Sequence, residues 1–471
     1  AVGGIEHREP TPRITPLDPS QVRDALTRTC RFTRAVEKGG EVVDRHVHPP
    51  AWCVAAVHKR ADWPGLRPLA GVTTIPVLRP DGTLLSAPGY DEASRLLYLP
   101  TGPQPDVPDA PTLADAVTAA NLLLSLVADF PFEAPEHRAA WLAGLLTPLA
   151  RHAFAGPAPL FLLDANVRGS GKSLLCEIIG LIDSGRAMPR MAAPKDEDET
   201  RKRITALAIE GSPFVLIDNV PGTLGGASLD AALTSTVWKD RLLGESRTVE
   251  VPLTAVWYAT GNNVALLADT ARRVIHVRLD SPHERPEERT DFRQPDIERH
   301  VRAERPRYLA AALTVLRGWY AAGRPEANVP AFGSFAGWSG VVRQCLVWLG
   351  LPDPALTRTE LVERSDRTAG ALAGVVAGLA SFDPEGEGVT ANELVRRLEA
   401  EPDRHEGLRS ALLDLCDAAA GRLPSPRRIG NQLGHLRNRV VGGRCLDYRT
   451  SSGARRWFVR AAGRDARTAD R

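Results

Sequence analysis

No apolar run in this 471-residue chain is long enough to cross a bilayer, the longer ones, such as 119–128, being short and interrupted. The first residues offer Glu6, Glu9 and several prolines where a signal peptide needs an apolar stretch, so a cytoplasmic protein is expected. The six cysteines (Cys30, Cys53, Cys176, Cys345, Cys416, Cys445) form no CxxC pair and read as reduced thiols. His46, His48, Cys53 and His58 have a spacing that fits no workable zinc geometry. Internal repeats and low-complexity blocks are missing. Lysine is scarce too, six among 59 basic residues. The formal net charge is only +2, so the chain is no polycation, but its charge is unevenly spread. From Arg422 to the end there are thirteen Arg against three Asp, with no Glu or Lys. A basic end on a near-neutral body suits a phosphate backbone; heavy use of Arg as the general surface cation is the plainer alternative.

At about 150 residues per domain, the length predicts roughly three domains. Residues 1–20 read as a flexible N-terminus. Over 21–100 short apolar runs (Trp52–Val57, Val72–Val77) alternate with turn signals and predict a small α/β module, with 52–57 strand-like. The proline-rich 101–111 segment reads as a linker, and 112–155 as a helical lead-in. Over 156–285 short runs apolar on both faces (Leu160–Leu163, Phe214–Ile217, Ala255–Tyr258, Val274–Val277) predict a parallel sheet between helices. Helices over 301–322 and 332–351 give 286–352 the character of a helical lid. Over 355–460, helices near 390–399, 408–420 and 426–440 precede strands near 444–449 and 456–460, the order of a winged helix-turn-helix. Residues 461–471 read as a tail.

The strongest motif is Asn166-Val-Arg-Gly-Ser-Gly-Lys-Ser173, between a strand and a helix. In a Walker A loop, backbone N–H groups of Asn166, Val167, Arg168, Gly169, Ser170, Gly171, Lys172, Ser173 and Leu174 surround the phosphates of ATP. Lys172 reaches the β- and γ-oxygens and the Ser173 hydroxyl ligates Mg²⁺. Asn166 replaces the usual first glycine, and asparagine tolerates left-handed backbone well. Asp218-Asn219 closes a second strand as Walker B, with Asp218 on the metal; Asn219 stands where a water-polarising glutamate is usual. It can orient water but not deprotonate it, so either turnover is slow or a carboxylate such as Glu199, Asp240 or Glu245 approaches. A third strand ends in Thr260-Gly-Asn-Asn263, with Asn263 as the expected sensor. Arg272 and Arg273, before the next strand, suit an arginine finger. Lys239, Arg241 and Arg247, between Walker B and the sensor, are expected on the strand-gripping hairpin of a motor. Arg427, Arg428, Arg437, Arg439, Arg455 and Arg456 are the expected DNA contacts of the C-terminal domain.

These residues resemble a known group, the helicase-like ATPase halves of primase-helicase proteins from actinobacterial phages and integrative elements, allied to superfamily-3 helicases within AAA+. The resemblance is carried by 164–173, Leu216–Asn219, Arg241–Gly244, Thr260–Asn263, Ala271–Arg273 and Arg278–Asp280. It extends through Arg79–Gly82, Ala87–Asp91 and Phe292–Asp296, over roughly residues 60 to 460. It implies an AAA+-type P-loop NTPase fold, a homo-oligomeric ring (a hexamer or similar), fingers acting in trans, and movement on single-stranded or forked DNA. It also implies a primase as a separate polypeptide. Superfamily-3 relatives generally carry an acidic residue where this chain has Asn219. The expected function is therefore an ATP-driven helicase or replication motor of a mobile element. Two alternatives stay open: a nucleotide-gated DNA-binding assembly or initiator protein with little turnover, and the ATPase of an anti-phage system.

Overall fold

The computed structural model describes residues 12, 14, 17–60, 63, 65–100, 102–242, 248–416, 418, 422–451 and 453–462. The chain divides into two units, one holding residues up to 77 with 84–104, the other 78–83 with everything from 105 onward. In the first, helices Pro19–Thr29 and Ala51–Lys59 pack together through Val22 and Val54. A hairpin pairs Thr33–Lys38 with Glu41–His46, and Leu96–Tyr98 lies between Gly71–Thr73 and Gly89–Asp91. The Trp52–Val57 run, expected as strand-like, is thus helical. Six apolar residues carry no decisive period, and the turn opened by Pro50 lets the run coil.

The second unit is built on five strands: β1 (Leu160–Ala165), β2 (Arg190–Ala192), β3 (Phe214–Val220), β4 (Val256–Asn262) and β5 (Val274–Leu279). All pair in parallel, in the order β5-β1-β4-β3-β2. Parallel strands need helical crossovers, so both faces are covered and the side chains alternate between two apolar layers. Leu160, Leu162, Val215, Ile217, Trp257 and Ala259 face one layer, with Ile204 and Ala208 of the helix Glu197–Glu210. Phe161 and Tyr258 stack on the other face, 5.6 Å between centroids, and the Tyr258 hydroxyl donates to Gly144 O at 2.8 Å, within the helix Pro135–Ala150. The expected 301–322 helix is two, Ile297–Ala303 and Arg305–Ala321, and the 332–351 stretch alternates 3-10, α and π turns over 333–348. Among the described residues no helix is long and apolar enough to cross a membrane.

A 25-residue helix, Arg358–Phe382, leads from this core into the C-terminal module. Its Leu361 belongs to the sheet's apolar cluster, whereas Leu372, Val375 and Leu379 pack with Leu394, Leu412, Ile429, Leu433 and Trp457. Helices Ala391–Ala400, Glu406–Leu415 and Pro426–His435 follow. The hairpin Arg444–Ser451/Ala454–Ala461 then pairs through its second strand with Val389–Thr390 and through its first with Val440–Val441.

Candidate functional site

At the C-terminal end of β1 the chain turns into α1 (Lys172–Ser184), which no side chain caps, so its first-turn amides are left facing the loop 166–171. The left-handed positions here are Gly169 (φ 75°) and Gly171 (φ 90°). A Cβ on Gly171 would stand 2.6 Å from the Phe130 ring, so Gly171 needs glycine for space as well as conformation, whereas at Gly169 it is the left-handed backbone that favours glycine. Asn166 does not have the left-handed backbone expected of it. Its side chain instead exchanges two hydrogen bonds with the backbone of Ser281, donating to O at 2.9 Å and accepting from N at 3.0 Å.

The Lys172 ammonium donates to Asn262 Oδ1 at 2.8 Å and to Val167 O at 3.3 Å. Burial lowers its pKa, an effect opposed by the carboxylates of Asp164 and Asp218. The Ser173 hydroxyl donates to Asp218 Oδ1 at 3.2 Å, and the Thr260 hydroxyl donates to the same oxygen at 2.6 Å. Thr260 Oγ1 also accepts from the amide of Asn219 at 2.8 Å. The β3–β4 register slips between Ile217 and Val220, and Asn219 takes φ 55°, so a bulge sits at the end of β3. Arg190, at the start of β2, pairs with Glu177 and reaches 3.6 Å from Asp218 Oδ2. Three parallel strand ends and one helix start therefore converge on Lys172, Ser173 and Asp218. A hydroxyl beside a carboxylate, both partly exposed, is an all-oxygen donor set, which fits Mg²⁺ retaining several waters.

Asn263, the expected sensor, makes its hydrogen bonds elsewhere than with Lys172. Its Nδ2 donates to Asn166 O at 3.3 Å and its Oδ1 accepts from Arg278 at 2.8 Å. Arg278 also pairs with the buried Asp164 at 2.5 Å. Burial pushes the Asp164 carboxyl up, yet His276 and Arg278 beside it bring it below the ordinary range. Asn262 is the neighbour that reaches the lysine. Asn262 is the last residue of β4, whereas Asn263 lies beyond it in a left-handed turn (φ 49°), and the motif Asn-Asn alone does not say which of the two meets the lysine.

Arg272 and Arg273 lie at the other end of the sheet. Arg273 O accepts from Leu160 N, at the start of β1, at 3.0 Å. The loop follows the six-residue strand, on the order of 20 Å away, beyond an arginine's reach. Arg273 pairs with Asp230 at 2.9 Å, while Arg272 is exposed. Of the carboxylates considered for water activation, Glu199 is held by Arg203 at 2.7 Å, and Asp240 by Arg201 at 2.7 Å and Thr205 at 2.5 Å. Glu245 and Arg247 lie outside the described residues. Lys239 and Arg241 are exposed on the antiparallel pair Val237–Arg241/Thr248–Pro252, with Lys239 3.3 Å from Glu250.

The six C-terminal arginines separate into two groups. Arg428 donates to Cys416 O, Arg437 pairs with Asp447 at 2.7 Å, Arg439 donates to Leu266 O at 3.3 Å, and Arg456 donates to Gly388 O at 3.0 Å. These four brace the fold, because buried or edge carbonyls and the buried Asp447 need donors. Arg427 and Arg455 are exposed, and among the described residues neither makes a hydrogen bond or ion pair; Arg455 stacks on Tyr448 at 4.8 Å.

No protein-family model and no curated protein matches the sequence. Among solved structures, the chain resembles an apo form of the NrS-1 C-terminal region at 10% identity, covering 94% of this chain and 99% of that one, with a TM-score of 0.37. It also resembles JCV helicase at 13% identity, over 54% of this chain and 68% of that one, with a TM-score of 0.24. A likeness this loose says nothing about chemistry, which rests on the loop itself.

Proposed function

We propose that the chain is an ATP-hydrolysing P-loop motor of the AAA+ type, assembling as a ring and moving on DNA in the replication of a mobile element. One observation carries the reading: Lys172, Ser173 and Asp218 meet at the mouth of a loop whose left-handed glycines and uncapped helix start leave amides for a triphosphate. The loop amides bind the phosphate oxygens, and Lys172 bridges the two terminal phosphates. Ser173 and Asp218 hold magnesium, which when bound neutralises charge on those phosphates. Asn262, already hydrogen-bonded to Lys172, contacts the γ-phosphate and orients the attacking water. Arg272 acts in trans on a neighbouring subunit's nucleotide, because its own loop is out of reach. The C-terminal helices and hairpin act as a winged helix on DNA.

Calorimetry tests the core of this. The parent should take up ATP only with magnesium, and Lys172→Ala should take up none; magnesium-independent or absent uptake by folded parent protein sinks it. Asn219 favours a second reading, a nucleotide-gated DNA-binding assembly that hardly turns over, since an amide cannot accept the water's proton. Strand displacement separates the two. ATP-dependent unwinding lost in Lys172→Ala selects the motor, and tight ATP-dependent binding without unwinding selects the gate.

A further inference from the structure

Two adjoining cavities of about 350 Å³ each run along one side of the helix Pro426–His435 and share Asn431 and His435 as walls. The first is lined on the helix by Arg427 and Gln432, and the second continues to Tyr448 and Arg455 on the hairpin. The helix is strongly two-sided. Ile429 and Leu433 are fully buried in the module's core, whereas Arg427, Asn431 and His435 recur every fourth residue on the exposed side, one stripe along the groove.

Charge accounting separates this groove from a generally basic surface. Residues 422–460 hold ten Arg, one Asp and no Lys or Glu. Six of those arginines are spent on protein acceptors: Arg428, Arg437, Arg439 and Arg456 as above, Arg449 on Gly386 O at 2.7 Å, and Arg460 on Asp447 at 2.9 Å. Arg428 and Arg437 also line the groove, each turned to a protein acceptor, whereas Arg427 and Arg455, at its two ends, make no hydrogen bond or ion pair among the described residues. Between them lie the side-chain amides of Asn431 and Gln432, neutral groups that add nothing to phosphate attraction but match base edges.

We propose that this groove reads a specific duplex DNA sequence, with Arg427 and Asn431 selecting bases and Arg455 anchoring phosphate. The inference rests on the DNA-binding part of the proposed function. A ten-residue helix is about 15 Å long and enters a major groove about 12 Å wide, where Arg pairs bidentately with guanine and Asn with adenine. An apolar or purely cationic face would bind DNA without choosing among sequences.

Selection from a randomised duplex pool by the full chain tests this, followed by titrations of the enriched and a scrambled duplex at several salt concentrations. The parent should enrich a short motif. Arg427→Lys, which keeps the charge but not the planar fork, and Asn431→Ala should cut the preference for that motif by about five- to a hundredfold, with little change in salt slope. Arg455→Ala should weaken both duplexes alike and lower the slope by roughly 0.9. Tight parent binding with no enriched motif overturns the proposal, as does an Arg427→Lys variant with parental preference. Loss of all duplex binding in parent protein that still takes up magnesium-ATP overturns the DNA reading with it, leaving the nucleotide site standing.

Discussion

The Arg439 guanidinium of the C-terminal module donates to the carbonyl of Leu266, 3.3 Å away, across to the parallel-sheet core. Leu266 lies in the short strand Ala265–Leu266, paired with Thr223–Leu224. Those two strands follow Asn262 and Asp218 within a few residues. Burial lowers the Arg439 pKa, so this side chain works as a buried brace and not as a surface cation. Arg439→Ala should cost on the order of 1–2 kcal/mol, a loss visible in a thermal melt. Hydrogen exchange should quicken at Thr223–Leu224 and Ala265–Leu266. The salt slope of DNA binding should stay parental; a slope lowered as in Arg455→Ala would mean the guanidinium meets phosphate instead.

Asn262 and Asn263 should separate cleanly in a kinetic comparison. Asn262→Ala removes the partner of Lys172, and kcat should fall by about 10²-fold or more while the melting temperature holds. Asn263→Ala breaks the link between Asn166 and Arg278, so its main effect should be on stability, at about 1–2 kcal/mol. Equal kcat losses with unchanged melting would refute the division.

The two adjacent arginines should differ in the same way. Arg273→Ala strips a partner from the half-buried Asp230 and should lower stability by about 1–3 kcal/mol. Arg272→Ala should leave stability within about 0.5 kcal/mol of the parent yet reduce ATP turnover by about 10³-fold. Mixing Arg272→Ala with Lys172→Ala protein should restore part of the turnover, through interfaces that pair one intact loop with one intact finger. No recovery at any mixing ratio counts against action in trans.

Asp183, at the end of α1, is fully buried, and among the described residues neither carboxylate oxygen finds a hydrogen bond. Burial raises its pKa well above the ordinary value, with Arg305 opposing. The folded protein therefore keeps the proton that the unfolded chain releases near pH 3.9. The unfolded state binds fewer protons above that point, so stability should fall as pH rises, by about 1.4 kcal/mol per unit until the raised value is reached. Asp183→Asn should melt higher than the parent at pH 8, with the gain shrinking toward pH 4. A gain independent of pH would show that ionisation is not the cost.

The loop around Lys172 was legible because its chemistry is local. An apolar strand, glycines two residues apart, a lysine and a serine lie within a few residues of each other, and strand and helix propensities frame them. The parallel sheet was legible for a related reason, since strands covered on both faces must be apolar throughout. The C-terminal hairpin and the helices before it followed from turn and period signals, although the helices Glu406–Leu415 and Pro426–His435 end about five residues earlier than those signals suggested. The 25-residue helix Arg358–Phe382 did not stand out, because the polar, charged stretch 363–368 interrupts its apolar pattern between the part that packs on the sheet and the part that packs in the C-terminal module. Arg190 carried no motif at all; only the pairing of β2 with β3 brings it beside Asp218.

By itself the sequence determined which groups could hold a triphosphate and in what order the strands bearing them arrive. Tertiary structure alone decided which of two adjacent asparagines meets Lys172, which of two arginines is free, and which C-terminal arginines are spent inside the fold. Each of those choices depends on where a side chain points and on what a distant segment offers it, and charge or composition encodes neither.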